Sequence, residues 1–107
     1  MKSEQTSLVS RFGDALTSGQ RKQLKSLGHP LQPVVLVGQK GISPNLIENV
    51  QDALLAHELI KIKVHDSSMI EEAATSIHEQ TGAHLVQHIG KILLFYKKNT
   101  KEPKISL

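Results

Sequence analysis

Residues 33–44 of the chain, PVVLVGQKGISP, decide the fold. Val34 to Val37 are four consecutive apolar residues, three of them β-branched, so they predict a strand that is buried on both faces. Ser43 and Pro44 form a typical helix start, because serine is a favoured N-cap and proline is favoured at the first helical position. The stretch therefore predicts a strand and a helix joined by a short loop that contains two glycines.

The patterns on either side of this stretch predict alternating helices and strands. A basic helix is expected before it, and after it a strand in which apolar residues alternate with lysine. A further helix should begin with a capping box of Ser68 and Glu71, and two strands joined at Gly90 should form an antiparallel hairpin. The expected elements are a helix at 18–27, a strand at 34–37, a helix from 43, a strand at 59–64, a helix from 68 to 82, and strands at 83–89 and 91–96.

The order of these elements, α-β-α-β-α-β-β, predicts an α/β domain with a four-stranded mixed sheet and three helices. The length of 107 residues suits one such domain. We expect the domain to span residues 18–98, between a flexible leader at 1–17 and a basic tail at 99–107. The leader shows no sustained hydrophobic period, so no more than a helical turn is expected in it.

The composition excludes several classes of protein. Cysteine is absent, which rules out disulfides and thiol-based metal or nucleophile chemistry and suits a reducing cytoplasm. No apolar stretch approaches the roughly 20 residues that a membrane-spanning helix needs. We therefore expect a cytoplasmic, monomeric protein without a membrane partner.

Charge is unevenly distributed along the chain, whose formal net charge is +3. Residues 1–41 carry a net charge of +4, residues 42–80 carry −5, and residues 81–107 carry +4. If the two basic segments converge in the fold, the molecule has a basic face and an acidic back, which would suit a polyanionic partner. The alternative is that the central helices are simply acidic and solvated.

The loop Gly38-Gln39-Lys40-Gly41 is the first candidate for a binding site. Glycine permits positive φ angles and lets a sugar-phosphate backbone approach without a clash with Cβ, while Lys40 adds a positive charge. The following helix start, capped by Ser43, would point free N–H groups at the same phosphate. An ordinary strand-to-helix turn would also explain the loop. A Walker phosphate loop is excluded, because the Gly-Lys-Ser/Thr ending is missing, and so is a dinucleotide fingerprint, which needs a third glycine.

Basic residues outside the loop form the second part of the candidate site. If four lysines contact the phosphates of one RNA strand, the logarithm of affinity should fall with the logarithm of salt with a slope of about −3, at about 0.7 per contact. Lysines that only confer solubility are the alternative. The supporting candidates are Arg21, Lys22, Lys25, Lys61, Lys63 and Lys91.

The remaining chemistry is sparse. Phe12, Phe95 and Tyr96 are the only aromatic residues apart from histidine, so recognition by stacking of bases on a sheet is not expected. Of the six histidines, His84 and His88 would lie about 13 Å apart along one strand, at about 3.3 Å per residue, too far to share a metal ion. We expect no metal, no cofactor and no catalytic residues, and hence no enzyme.

Several motifs in the same order resemble those of the CRM domain family, in particular its small bacterial YhbY-type members. The resemblance covers about Leu16 to Tyr96. The motifs are QLKSLGHPL at 23–31, PVVLVGQKGIS at 33–43, HELIKIK at 57–63, Thr81-Gly82, and VQHIGK at 86–91.

The resemblance implies a fold similar to the C-terminal domain of translation initiation factor three. It also implies RNA binding through the Gly-x-x-Gly loop and the adjacent basic surface, and association with ribosomal RNA in precursors of the large ribosomal subunit, whose assembly the protein would assist. The alternative function is a protein-interaction module that docks on ribosomal proteins or another factor through its acidic helices.

Overall fold

The fold of the chain was analysed in a computed structural model, which describes residues 7–107. The predicted α/β class and the predicted order of seven elements are confirmed, and one short helix precedes them. The elements are α1 Leu8–Phe12, α2 Ser18–Gly28, β1 Pro33–Val37, α3 Pro44–His57, β2 Leu59–Val64, a 3₁₀ turn at Ser67–Met69, α4 Ile70–Thr81, β3 His84–Ile89 and β4 Ile92–Tyr96.

The four strands form one mixed sheet in the order β1-β2-β4-β3. β1 and β2 are parallel, whereas β4 is antiparallel to both β2 and β3. The three strands that follow helices therefore run in one direction, and β4 is inserted between two of them. The predicted hairpin is confirmed: Ile89 pairs with Ile92, and Gly90 has a φ of 58°, as tight hairpin turns require.

The two faces of the sheet are covered to different extents. Helices α1, α3 and α4 pack on one face, over a core that includes Val37, Ile62 and Phe95. Helix α2 packs on the other face, over β2, β4 and β3, where it buries Leu24 against Leu94 and Tyr96 among others. The second face is thus covered by α2 together with Leu16, Leu31 and Ile105, and part of it is left open.

Strand β1 differs from its prediction. Val35 and Val37 are buried, but Val34 is 52% exposed and Leu36 is 62% exposed. The prediction of a strand buried on both faces is therefore wrong, because β1 is at the edge of the sheet and α2 packs over the other three strands. A run of four apolar residues cannot by itself distinguish these cases.

Residues that precede the predicted domain also pack against it. Residues 1–6 of the predicted leader are outside the described residues. Residues 8–12 form α1, whose Phe12 is buried in the core, and the carbonyl of Gly13 accepts a hydrogen bond from the Arg21 guanidinium. The fold therefore includes residues 8–13, which the sequence assigned to the leader.

The predicted tail is attached to the domain through Glu58. This carboxylate accepts hydrogen bonds from the backbone N–H groups of Asn99, Lys104 and Ile105, at 2.6, 2.8 and 2.8 Å. Ile105 also packs against the core beneath α2. Residues 99–105 have no helix or strand, but they cover part of the domain instead of extending from it.

The helix starts agree only partly with prediction. Ser43 caps α3 as expected, since its Oγ accepts a hydrogen bond from the N–H of Leu46 at 3.1 Å. The predicted capping box at Ser68 is wrong: Asp66 accepts from the N–H of Ser68 and opens the 3₁₀ turn that leads into α4. Within residues 7–107, no helix is both long enough and apolar enough to cross a membrane.

Candidate nucleic-acid interface

The glycine loop, Gly38 to Gly41, is a tight turn at the carboxyl end of β1. The N–H of Gly41 donates to the carbonyl of Gly38 at 3.0 Å, which leaves Gln39 and Lys40 exposed at the centre of the turn. Gly41 has a φ of 78°, a conformation in which most other residues are strained. No atom lies within 4 Å of the position that a Cβ at Gly38 would take, so the outer surface of the loop is open at that point.

The start of α3 contributes fewer free N–H groups than expected. Pro44 has none, and the N–H groups of Leu46 and Ile47 donate to the side chain and the carbonyl of Ser43. The helix dipole still places partial positive charge at this end. Ser43 therefore serves mainly to cap the helix, and the glycine loop is the more accessible part of the predicted cradle.

Backbone hydrogen bonds bring the loop close to two other segments. The N–H of His65 donates to the carbonyl of Val37 at 2.8 Å, and the N–H of Val64 donates to the carbonyl of Lys91 at 2.8 Å. The glycine loop therefore lies close to the end of β2 and to the β3–β4 turn. All three segments are at the same end of the sheet. The structure thereby brings together Gly38, Gln39, Lys40, Gly41, Lys63 and Lys91, which the sequence had selected separately.

Beside the loop lies a part of the sheet that α2 does not cover. We call this the open face and define it as Leu36, Lys63, Ile92 and Ile89, which pair in one row across four strands. Leu36 and Ile89 are each 62% exposed. The apolar members of this row were not predicted as site residues, because only β2 shows the alternation that separates a buried from an exposed face.

The two lysines of β2 project from the same side of the sheet. Lys63 is exposed, and Lys61 is partly buried, with its Nζ donating to the carbonyl of His29 at 3.2 Å just after the end of α2. One of the three N–H donors of Lys61 is thus used, and two are left for other partners. The predicted alternation of β2 is confirmed.

The basic residues of α2 divide into two groups. Lys22 and Lys25 are exposed, and Lys25 is one turn before His29. Arg21 is different, because its guanidinium donates to the carbonyls of Gly13, Leu85 and Val86. Arg21 thereby holds α1 and α2 to β3, a structural role that the sequence did not predict, and its contact with RNA stays a prediction.

Acidic residues are concentrated on the opposite side of the sheet. Helices α3 and α4 carry Glu48, Asp52, Glu71, Glu72 and Glu79, all exposed, and they pack together on the face away from α2. Asp66 is the acidic residue beside the loop. Its hydrogen bonds with Ser68 and the nearby charge of Lys91 hold the pKa of Asp66 below its ordinary value, so it stays anionic. The exposed acidic residues of α3 and α4 therefore lie mainly on one side of the sheet. The expected separation of charge is incomplete, because Lys97 and Lys98 lie beside α3, and Glu71 lies near the β3–β4 turn.

Aromatic stacking on phenylalanine or tyrosine is excluded by burial. Phe12, Phe95 and Tyr96 are at most 8% exposed, and burial raises the pKa of the Tyr96 hydroxyl. The aromatic ring that is exposed near the open face is that of His29. Within residues 7–107, no group of three or more histidine or acidic side chains is arranged to hold a metal ion.

The fold and the loop define a small mixed α/β domain with a Gly-x-x-Gly turn at a basic edge. A family model for the CRS1 / YhbY (CRM) domain matches residues 16–97. The chain belongs to this family, which confirms the resemblance found in the sequence.

Curated relatives cover most of the chain and match most of their own length. A "Probable RNA-binding protein" of Pseudomonas aeruginosa, PA4753, is 40% identical over 84% of this chain and 88% of that protein. An "RNA-binding protein" of Haemophilus influenzae is 38% identical over 86% of this chain and 94% of that protein. The "Probable RNA-binding protein YqeI" of Bacillus subtilis is 33% identical over 86% and 98%.

A solved structure has the same fold. The solution structure of the hypothetical protein SAV1595 from Staphylococcus aureus superimposes with a TM-score of 0.68 at 35% sequence identity. The match covers 85% of this chain and 99% of that one. The likeness to the C-terminal domain of translation initiation factor three stays a prediction.

Proposed function

We propose that this protein binds RNA, without catalysis, through the glycine loop and the lysines around it. The observation that carries the proposal is the meeting of the exposed loop with the segments that carry Lys63 and Lys91, at one end of the sheet. The names of three relatives, one called an RNA-binding protein and two called probable RNA-binding proteins, support it. The residues proposed to contact RNA are Gly38, Gln39, Lys40, Gly41, Lys61, Lys63 and Lys91, with Lys22 and Lys25 adding long-range attraction.

The loop would hold the backbone of the RNA instead of its bases. The open space at Gly38 admits a sugar-phosphate chain, and Lys40 is free at the centre of the turn to pair with a phosphate. Contacts to phosphates fix the position of a protein on RNA and account for much of its salt-dependent affinity. Loops of this form clamp nucleic-acid backbones in KH domains.

Replacement of Lys40 by glutamate tests the role of the loop. Binding of a labelled fragment of large-subunit ribosomal RNA is titrated between about 50 and 200 mM salt, where phosphate contacts dominate the change in affinity. We expect a log-log slope of about −3 for the wild type, and a slope weaker by about 0.7 with reduced affinity in Lys40→Glu, because one phosphate contact is lost.

Lys101→Glu is the matched control, since it changes the net charge equally. Lys101 is exposed and lies far from the glycine loop. It follows Asn99, whose side chain donates to the carbonyl of Leu55. Leu55 is about 16 Å along α3 from Pro44, the residue at which the helix begins, at 1.5 Å per residue. A slope near zero, or equal binding by Lys40→Glu and the wild type, would contradict the proposal. Binding to ribosomal proteins in that case would favour the alternative of docking through the acidic helices.

We further propose that the cellular target is ribosomal RNA in precursors of the large subunit, and that the protein assists their assembly as a cytoplasmic monomer. This part of the proposal is supported by the family to which the chain belongs. Crosslinking of the protein to RNA in cells should place the sites in large-subunit RNA and its precursors. Sites confined to messenger RNA or the small subunit would contradict it.

A further inference from the structure

A pocket of about 150 Å³ adjoins the open face on the side of α2. It is far larger than the 10–15 Å³ or so that one water molecule needs. Its apolar lining comes from β3 and β4, and its polar lining from the end of α2 and from β2 and β3. The lining residues are His29, Lys61, Gln87, Ile89, Ile92 and Leu94.

A β-bulge directs Gln87 to this pocket. Leu85 pairs with Phe95 and Gln87 pairs with Leu94, so Val86 is the extra residue in β3. Leu85 belongs to the core beneath α3 and α4, whereas Val86 belongs to the core beneath α2. Simple alternation would then return Gln87 to the first core, but the bulge keeps it on the same side as Leu94. Bulges of this kind commonly redirect a side chain beside a binding site.

The lining combines the groups that a nucleobase requires. Ile89 and Ile92 offer an apolar surface for the flat face of a base, above the buried Leu94, and the imidazole of His29 can stack on the base. The Gln87 amide offers donors and an acceptor to the polar edge of the base. Lys61, fixed by the carbonyl of His29, adds a second donor.

The pocket is also within reach of an RNA backbone held by the glycine loop. β4 lies two strands from β1, about 10 Å across the sheet, and Ile92 is in register with Leu36, about 7 Å along β1 from Gly38, so the near side of the pocket is about 12 Å from the loop. Lys63 lies on β2, between β1 and β4, and pairs with both Leu36 and Ile92. Positive charge therefore lines the path from the loop to the pocket, which suits the anionic backbone of a single RNA strand and disfavours a basic peptide.

We propose that this pocket binds one unstacked base of a single-stranded RNA whose backbone is held by the glycine loop. The inference rests on the proposed function and refines it. The domain selects single-stranded over double-stranded RNA, and it discriminates between bases through Gln87 and Lys61. The shortage of exposed phenylalanine and tyrosine is thus offset by His29 and the apolar floor of the pocket.

The test compares RNA oligomers about eight nucleotides long, a length within the range bound by single-strand-binding domains. The probes are oligo(A), oligo(C) and oligo(U), an abasic oligomer with the same number of phosphates, and a duplex. At constant salt, we expect at least one homopolymer to bind about fivefold or more tightly than the abasic oligomer and the duplex, because a stacked base adds affinity that phosphates alone do not.

The variants His29→Ala and Gln87→Leu test whether the pocket causes the tighter binding of the homopolymer. Both should weaken the best homopolymer by about fivefold or more and leave the abasic oligomer unchanged, since neither removes a phosphate contact. His57→Ala, an exposed histidine at the end of α3, is the matched control and should change neither affinity. Thermal unfolding of each variant verifies that the fold is retained.

The outcomes separate this inference from the proposed function. Equal, salt-dependent binding of homopolymers and abasic oligomer would overturn the pocket and leave backbone binding intact. Unchanged homopolymer binding in both pocket variants would also overturn it. If no RNA binds at any salt concentration, the proposed function fails and the pocket proposal fails with it.

Discussion

Glu58 is a buried carboxylate with an unusual set of partners. Its side chain is inaccessible to solvent, its φ is 63°, and three backbone N–H groups from the tail donate to it. Burial raises the pKa of Glu58, but these hydrogen bonds and the charge of Lys104 together lower it by more. The pKa of Glu58 is therefore below its ordinary value of 4.5. The ionised form is therefore the one that the fold stabilises.

The stability of the protein should depend on pH through Glu58. Because its pKa is lower in the folded state, its contribution is fully present above pH 4.5 and is lost as pH falls through the folded-state pKa. Glu58→Gln should remove this dependence and destabilise the fold at neutral pH by about 1–3 kcal/mol, because an amide cannot accept all three hydrogen bonds. Urea unfolding from pH 7 to about pH 3 measures both effects.

Glu102→Gln is the control for this prediction, since Glu102 is an exposed carboxylate of the same tail. It should leave the free energy of unfolding within about 0.5 kcal/mol of the wild type. If Glu58→Gln keeps the acid dependence of the wild type, Glu58 is not its source.

Single residues were predictable where their role is local. The cap at Ser43, the hairpin at Gly90 and the exposed Lys40 follow from neighbours within four residues. The roles of Glu58 and Arg21 could not be predicted, because their partners lie 41–47 and up to 65 residues away. The local sequence pattern around a charged residue does not indicate whether its side chain is solvated or binds a group that is distant in the sequence.

Among the elements, α1 depends on close contact with β3. A Cβ at Gly13, immediately after α1, would overlap the carbonyl oxygen of Leu85 in β3. Gly13→Ala should therefore displace α1 and destabilise the protein by about 1–3 kcal/mol, the usual cost of overpacking. Denaturant unfolding measures this change, and amide hydrogen exchange should show faster exchange in α1.

Gly19→Ala is the matched control, because it adds the same methyl group at a glycine that has room for it. Gly19 lies in the first turn of α2, and nothing lies within 4 Å of the position of its Cβ. This variant should be neutral or more stable by less than about 1 kcal/mol, since alanine favours helix. Equal destabilisation by the two variants would show that loss of glycine flexibility, and not the contact with Leu85, is responsible.

The elements show which sequence signals are sufficient. The helical periods of α2, α3 and α4 predicted their existence, and the alternation in β2 predicted its two faces. β1 was misjudged because four apolar residues do not indicate how many neighbours the strand has. The bulge at Val86 left no local signal at all, yet it decides which side of the sheet Gln87 faces.

The distribution of charge across the sheet concerns the molecule as a whole. The acidic side chains of α3 and α4 lie across the sheet from Lys61 and Lys63. In the double variant Asp52→Asn, Glu79→Gln, RNA affinity should change less than about twofold near 0.15 M salt, where the screening length is about 8 Å. Near 0.01 M salt, where it is about 30 Å, the affinity should rise.

Titration of one RNA at both salt concentrations checks this prediction. Loss of RNA binding at either concentration would place the acidic helices in the interface and contradict the proposed orientation. The net charges of the segments predicted the acidic helices, but they could not predict that Lys97 and Lys98 lie beside α3 or that Arg21 donates to three backbone carbonyls.

The attachment of the tail to Glu58 also affects the order in which the fold forms during synthesis. The three N–H donors follow the carboxylate by 41, 46 and 47 residues, and ribosomes add about 5–20 residues per second. The donors are therefore synthesised about 2–9 s after Glu58, when β2, β3 and β4 have already been made. The hydrogen bonds to Glu58 are therefore among the last contacts of the fold that synthesis makes available, after the pairing of all four strands.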